Sequence, residues 1–161
     1  MTWNSTVEVW TTGELVTQTK ATTEWTDRFN AIGDPWTAYT STWAAATTNP
    51  TLGSTVVVGE FSQQDKLVKG SIEITIAAGF AAGSGVYTLT LPVAAKSSIV
   101  IGSALFFDSS TSTYYPGIGY RTSAVSTEMS LVFQTARWAA AAPVAPALND
   151  VISVSFQYQA A

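Results

Sequence analysis

Two periods divide the chain. From Thr17 to Ala31 bulky residues recur at helical spacing with no Pro or Gly among them. Leu15, Thr22, Trp25, Phe29 and Ile32 fall on alternating a and d positions of a seven-residue repeat, with Gln18 as the polar exception. Thr17 can cap the start. Gly33-Asp34-Pro35 stops the run, because Gly accepts the left-handed C′ conformation and Pro cannot continue the ladder. The pattern predicts a helix of about four turns. Its aromatic stripe must be covered, either by the chain's own body or by the same stripe on other copies. The run is too short to hold a free coiled coil, so a self-association seam requires the rest of the protein to oligomerise as well.

After Pro35 the period changes to two. Trp36–Trp43 reads as one extended segment. Thr55–Ser62 and Leu67–Ala77 flank Gln63-Gln64-Asp65-Lys66, a hairpin signal. In the second of these, Val68, Ile72, Ile74 and Ile76 share one face and Ser71, Glu73 and Thr75 the other, with a bulge expected at Gly70. Val86–Leu91 is expected to close at Pro92. Ser98–Phe107 and Thr113–Arg121 are joined by Asp108-Ser109-Ser110-Thr111-Ser112, and Glu128–Thr135 follows. The last strand alternates Ile152, Val154, Phe156 and Tyr158 with Ser153, Ser155, Gln157 and Gln159. Gly79–Gly85 reads as a flexible loop, and Arg137–Ala147, with Pro143 and Pro146, as an extended surface segment. Seven or eight strands with polar turns predict a mainly β chain. Its expected architecture is an antiparallel β-sandwich, jelly-roll-like, over residues 36–161, preceded by an arm and a short N-terminal α-helix over residues 1–35.

Composition narrows the chemistry. Of 161 residues only 11% are charged, with 7 basic against 11 acidic side chains, a net charge of -4, and no Cys or His. An average protein carries about 25% charged residues. Without Cys or His there is no disulfide framework, thiolate zinc site, thiol nucleophile, Ser-His-Asp triad or HExxH motif. Scattered basic residues give no footprint for a phosphate backbone, so no nucleic-acid partner is expected. Ile76–Ala82 and Trp138–Leu148 are shorter than the ~20 residues of a membrane-spanning helix, and Met1–Ser5 lacks the pattern of a secretory signal. Gly79–Gly85 lacks the Lys and following helix of a phosphate loop. Asp108 and Asn149-Asp150 read as turn chemistry rather than a calcium loop. No cofactor, metal or catalytic residue is expected; Glu60 and Glu73, on neighbouring strands, are the one carboxylate pair that a His-free hydrolase could use.

The aromatic residues carry the remaining signal. Trp36, Tyr39 and Trp43 share one segment, and Tyr114, Tyr115 and Tyr120 another. Tyr39, Tyr114 and Tyr120 are candidate platforms for stacking on sugar faces. Core or subunit interface is the commoner place for such rings and is the reading favoured for them. Tyr114 and Tyr115 are adjacent and must point to opposite faces of a strand.

Trp10-Thr11-Thr12-Gly13-Glu14-Leu15-Val16-Thr17 and Trp25-Thr26-Asp27-Arg28-Phe29-Asn30-Ala31-Ile32-Gly33 resemble the opening of small virion proteins of tailed phages, especially those of actinobacteria. Trp36–Thr40, Thr47–Gly53, Gly85–Val93 and Ile152–Tyr158 resemble a β-domain common at the ends of their minor tail proteins. The chain departs from that pattern at Asp27-Arg28-Phe29-Asn30, where an Arg-Asp-Asn order is commoner, and at Ser41, where Pro is frequent. The resemblance implies a virion structural protein without catalytic residues. It would be a homo-oligomer, trimeric, with an assembly helix and an outward β-domain, partnered by other virion proteins of the tail or capsid. A minor tail or fibre module, a capsid decoration protein and a host-glycan or receptor-binding module are the readings it leaves open.

Overall fold

The computed structural model describes residues 36–96, 100–121, 126–134 and 136–161. The helix expected over Thr17–Ala31, with Leu15, Thr22, Trp25, Phe29 and Ile32, lies outside the described residues. The unit Trp36–Ala161 is all antiparallel β, with no helix among the described residues. Its strands are β1 (Thr37–Tyr39), β2 (Trp43–Ala45), β3 (Val56–Gln64), β4 (Leu67–Thr75), β5 (Tyr87–Ala95), β6 (Val100–Asp108), β7 (Thr113–Tyr120), β8 (Ser126–Phe133), β9 (Ala136–Arg137) and β10 (Val151–Gln159).

They join in one hydrogen-bonded order, β1-β3-β4-β10-β6-β7-β8-β5-β2, with β9 beside β8. The sheet is therefore continuous and curled into a half-barrel, where a sandwich of two sheets was expected. The curl is visible in the connectivity. β1 and β2 lie on opposite edges of the order, yet only Thr40-Ser41-Thr42 separates them in the chain. Trp36–Trp43 is thus two strands rather than one, and its middle crosses from edge to edge. Ser41 Oγ donates to the Thr90 carbonyl at 2.8 Å and the Thr42 N–H to Thr90 Oγ1 at 2.7 Å, fastening the crossing to β5. At the other end of β5, Tyr158 Oη donates to the Val93 carbonyl and the Lys96 N–H to the Gln159 carbonyl.

The inner face is the core. β4 and β10 alternate as their sequences require, with Val68, Ile72, Ile74 and Ile76 and Ile152, Val154, Phe156 and Tyr158 buried. Large and small residues alternate across the strands. One inner row runs Phe61, Gly70, Phe156, Gly102, Gly119 and Leu131 in register. Gly70 therefore marks no bulge: the β3–β4 register is regular through it. It is the space that receives the Phe156 ring, for a Cβ there would lie 2.5 Å from Phe156 Cε2 and 2.6 Å from the Glu60 carbonyl oxygen. Gly70→Ala is expected to lose about 1–3 kcal/mol of unfolding free energy in a urea titration; an unchanged midpoint would show that the ring has room to move.

Three further expectations are corrected. β5 continues through Pro92 to Ala95, because the β5–β8 register is broken between Thr90 and Ala95, where a missing N–H leaves no ladder bond empty. The Gly79–Gly85 loop is held by bridges Thr51↔Ala81 and Thr48↔Ser84, and Phe80 stacks on Trp43 at 5.2 Å. Arg137–Ala147 begins in β9 and carries Trp138, which is fully buried, rather than crossing the surface.

Candidate functional site

The strand periodicity that fills the inner face sets what the outer face presents. Across β3, β4 and β10 the outer residues are Val56, Val58, Glu60, Lys69, Ser71, Glu73, Thr75, Ser153, Ser155 and Gln157. Across β6, β7 and β8 they are Val100, Ser103, Leu105, Phe107, Tyr114, Pro116, Ile118, Tyr120, Glu128, Ser130 and Val132, with Arg137 of β9 opposite Val132. These cross-strand sets are aligned: Val151–Phe107–Tyr114, Ser153–Leu105–Pro116, and Ser155–Ser103–Ile118–Val132. Tyr114 is 61% exposed, Ile118 43% and Leu105 39%. Tyr114 leans on Phe107 with ring centroids 4.8 Å apart.

The polarity of β7 follows from its glycines. Gly117 and Gly119 face inward: a Cβ at Gly117 would lie 2.5 Å from the Phe133 ring, which excludes it, and one at Gly119 would press on the Met129 sulfur at 3.3 Å. Tyr115 shares that inner face and meets Phe106 edge-on at 6.0 Å. Tyr114, Pro116 and Ile118 are thereby turned outward.

The three candidate tyrosines do not share a surface. Tyr39 packs on the inner side, across Gly59 and edge-on to Phe61 and Phe156 at 5.7 and 6.4 Å. Burial, and then the neighbouring Tyr158 phenol, push its hydroxyl above the ordinary tyrosine range. Tyr158 and Tyr87 are each pushed up to about 12 by burial. Tyr120 is half-buried near the far end of β7, with its ring 5.8 Å from the Arg137 guanidinium carbon and its buried hydroxyl unpartnered. Six residues, or about 20 Å of strand, separate it from Tyr114. Only Tyr114 stands open on the outer face. Sequence reasoning missed its neighbours Leu105, Phe107, Pro116, Ile118 and Val132; the available signal was the alternation of Tyr, Pro and Ile with Tyr, Gly and Gly along β7.

The carboxylates occupy two kinds of position. Glu60 pairs across the strands with Ser71 and Glu73 with Val58, so the two glutamates are diagonal neighbours on the exposed outer face. Glu60 accepts a 3.4 Å hydrogen bond from Ser71 Oγ. Asp108 and Asp150, both buried, instead tie the turn between β6 and β7. Asp108 accepts from the Ser110 N–H and Oγ at 2.9 and 2.7 Å and from Thr111 Oγ1 at 2.9 Å. Among the described residues no three His, Cys, Asp or Glu side chains are grouped to hold a metal ion, and no helix is long and apolar enough to cross a membrane.

The hydroxyls of Ser110 and Thr111, chiefly, hold the Asp108 carboxyl below its ordinary value of 3.8. A lowered folded-state value means stability that is present above the unfolded value and lost as pH falls through the folded one. Asp108→Asn is therefore expected to flatten the fall of the thermal midpoint below pH ~4, read by circular dichroism; an acid limb identical to the parent's would contradict this.

No protein-family model, curated protein sequence or solved structure matches the chain.

Proposed function

We propose that the chain is a non-enzymatic structural component of a tailed-phage virion, a minor tail or fibre module whose half-barrel packs against other copies and neighbouring particle proteins. The observation that carries this reading is the outer face: apolar at β6 and β7, hydroxyl- and amide-bearing at β10, and without outward Asp, Glu, Lys or Arg on those three strands, the nearest charges beside β7 being Glu128 of β8 and Arg137 of β9. Such a face can enter an assembly without burying an unpaired charge. The motifs from Trp10 to Gly33 and from Gly85 to Val93 support the phage assignment by resemblance. In this reading the N-terminal helix with Leu15, Thr22, Trp25, Phe29 and Ile32 forms the seam of a trimer, and the curled sheet is the jelly-roll-like body of each protomer. Negative-stain microscopy of purified particles with gold-labelled antibody tests it. Label on the tail is expected; label on the shell reassigns the protein to capsid decoration; particles without label overturn the virion role.

A further inference from the structure

We propose that the outer face around Trp36 binds a neutral oligosaccharide, with the indole as the platform on which a sugar ring stacks. Trp36 is 53% exposed and makes no ring contact with a described residue. The register of β1 fixes its place. Thr37 pairs with Phe61 and Tyr39 with Gly59, so Trp36, one residue further back, stands opposite Ser62. Alternation puts it on the side of Ala38 and Glu60, away from the inward Tyr39. Beyond Ser62 the same cross-strand row continues through Lys69 to Gln157, and the adjacent row holds Glu60 and Ser71. From β1 to β10 the rows run roughly 14 Å, at about 4.8 Å per strand, enough for a short run of sugar rings. Their polar ends are uncommitted. Lys69 and Gln157 make no side-chain hydrogen bond or ion pair with a described residue, and Glu60 accepts only the 3.4 Å bond from Ser71.

The surroundings of the ring select the ligand. A pyranose presents C–H groups on one ring face and hydroxyls at its edge. The C–H groups suit the electron-rich face of an indole. The hydroxyls need acceptors and donors, and a carboxylate, an amide, an ammonium and two hydroxyls supply both within these two rows. Other occupants fit less well. Lys, Glu and Ser, the residues around Trp36, are the types depleted from protein–protein contacts. A phosphate backbone or an anionic membrane calls for clustered basic side chains. Lys69 is the one cation on the outer face of β3, β4 and β10, against Glu60 and Glu73. The same imbalance disfavours a carboxylate-bearing sugar. Tyr114, at the other flank, has Phe107 and Pro116 as its outer neighbours and no such donors or acceptors. Because hydrogen bonds made in open water contribute little, the affinity rests chiefly on the indole.

This site goes beyond the virion assignment and does not rest on it: microscopy locates the chain on a particle, whereas the ligand is read on the isolated protein. The full-length chain, detected by antibody, is passed over a printed array of neutral hexose and pentose oligosaccharides. Retention on at least one of them is expected, and it should persist when salt is raised from about 0.05 to about 0.5 M, since no ion pair is involved. Trp36→Ala should weaken the strongest binder at least about tenfold, the usual result of truncating a dominant contact residue. Glu60→Gln, which keeps an acceptor and adds a donor, should change it less than about threefold. Tyr114→Ala should leave it unaltered. Circular dichroism confirms folding; should Trp36→Ala misfold, Gln157→Ala with Ser62→Ala replaces it, with a several-fold loss expected. An array without retention, or retention that survives Trp36→Ala in a folded chain, overturns the proposal. So does retention confined to acidic sugars or phosphatidylserine vesicles, or retention that depends on Tyr114 instead.

Discussion

Trp138→Ala is expected to be among the most damaging single substitutions in the described unit, lowering the unfolding free energy by about 3–5 kcal/mol. Trp138 is fully buried and lies at the junction of three elements. Its ring stacks on Trp43 of β2 at 4.7 Å and meets Tyr87 of β5 and Phe133 of β8 edge-on at 4.9 and 6.3 Å. Its backbone pairs on both sides, the N–H with the Leu131 carbonyl and the carbonyl with the Tyr87 N–H. Truncation leaves a cavity whose walls are strands fixed by their ladders, so little collapse can offset it. The indole N–H has no hydrogen-bond partner, so Trp138→Phe loses volume but no bond and should cost less than about 2 kcal/mol. Urea unfolding monitored by far-ultraviolet circular dichroism separates the two. Equal losses for Ala and Phe would show that something other than cavity formation is being measured.

Asp150→Ala is expected to cost about 2–4 kcal/mol, although it removes only a short side chain. Asp150 precedes β10 and is almost wholly buried. One carboxylate oxygen accepts from the Ser109 N–H and Oγ at 2.9 and 3.1 Å, the other from the Ala147 N–H at 2.8 Å. Alanine leaves two backbone donors unpaired in a partly buried turn, and that penalty exceeds the value of any one bond. Asp150→Asn retains one acceptor oxygen but turns an NH₂ toward the other donors, so an intermediate loss is expected. Hydrogen exchange should localise the damage, with faster exchange at the Ser109 and Ala147 amides. Unaltered protection there would contradict the assigned role.

The strands were legible because a half-buried strand writes its burial into alternate residues. Ile152–Gln159 shows this most plainly, and Leu67–Thr75 nearly as well. What stayed hidden depends on distant partners. Nothing in Thr40-Ser41-Thr42 shows that the chain there passes between opposite edges of one sheet; that follows from the long-range pairing of β1 with β3 and of β2 with β5. Gly70 reads locally as a flaw in a strand, and its meaning lies in Phe156, far along the sequence. Trp138 was concealed by its Ala- and Pro-rich surroundings, whose composition resembles a linker although one side chain anchors the core. On β7 the larger residues point out and the glycines in, the reverse of what hydrophobicity alone would assign, because the space inside is filled from β8. The candidate tyrosines separated for the same reason. Spacing can say that Tyr114 and Tyr115 face apart, but only the packed sheet says which one faces water.

A chain without cysteine allows its outer face to be tested directly. Intact particles carrying Ile118→Cys, treated briefly with a maleimide, should label slowly, because packing against neighbouring chains covers β6 and β7. The same treatment of Ser71→Cys, on the far flank of that face, should label it fast. Equally fast labelling of both variants in intact particles would contradict a virion protein that packs through its apolar outer strands.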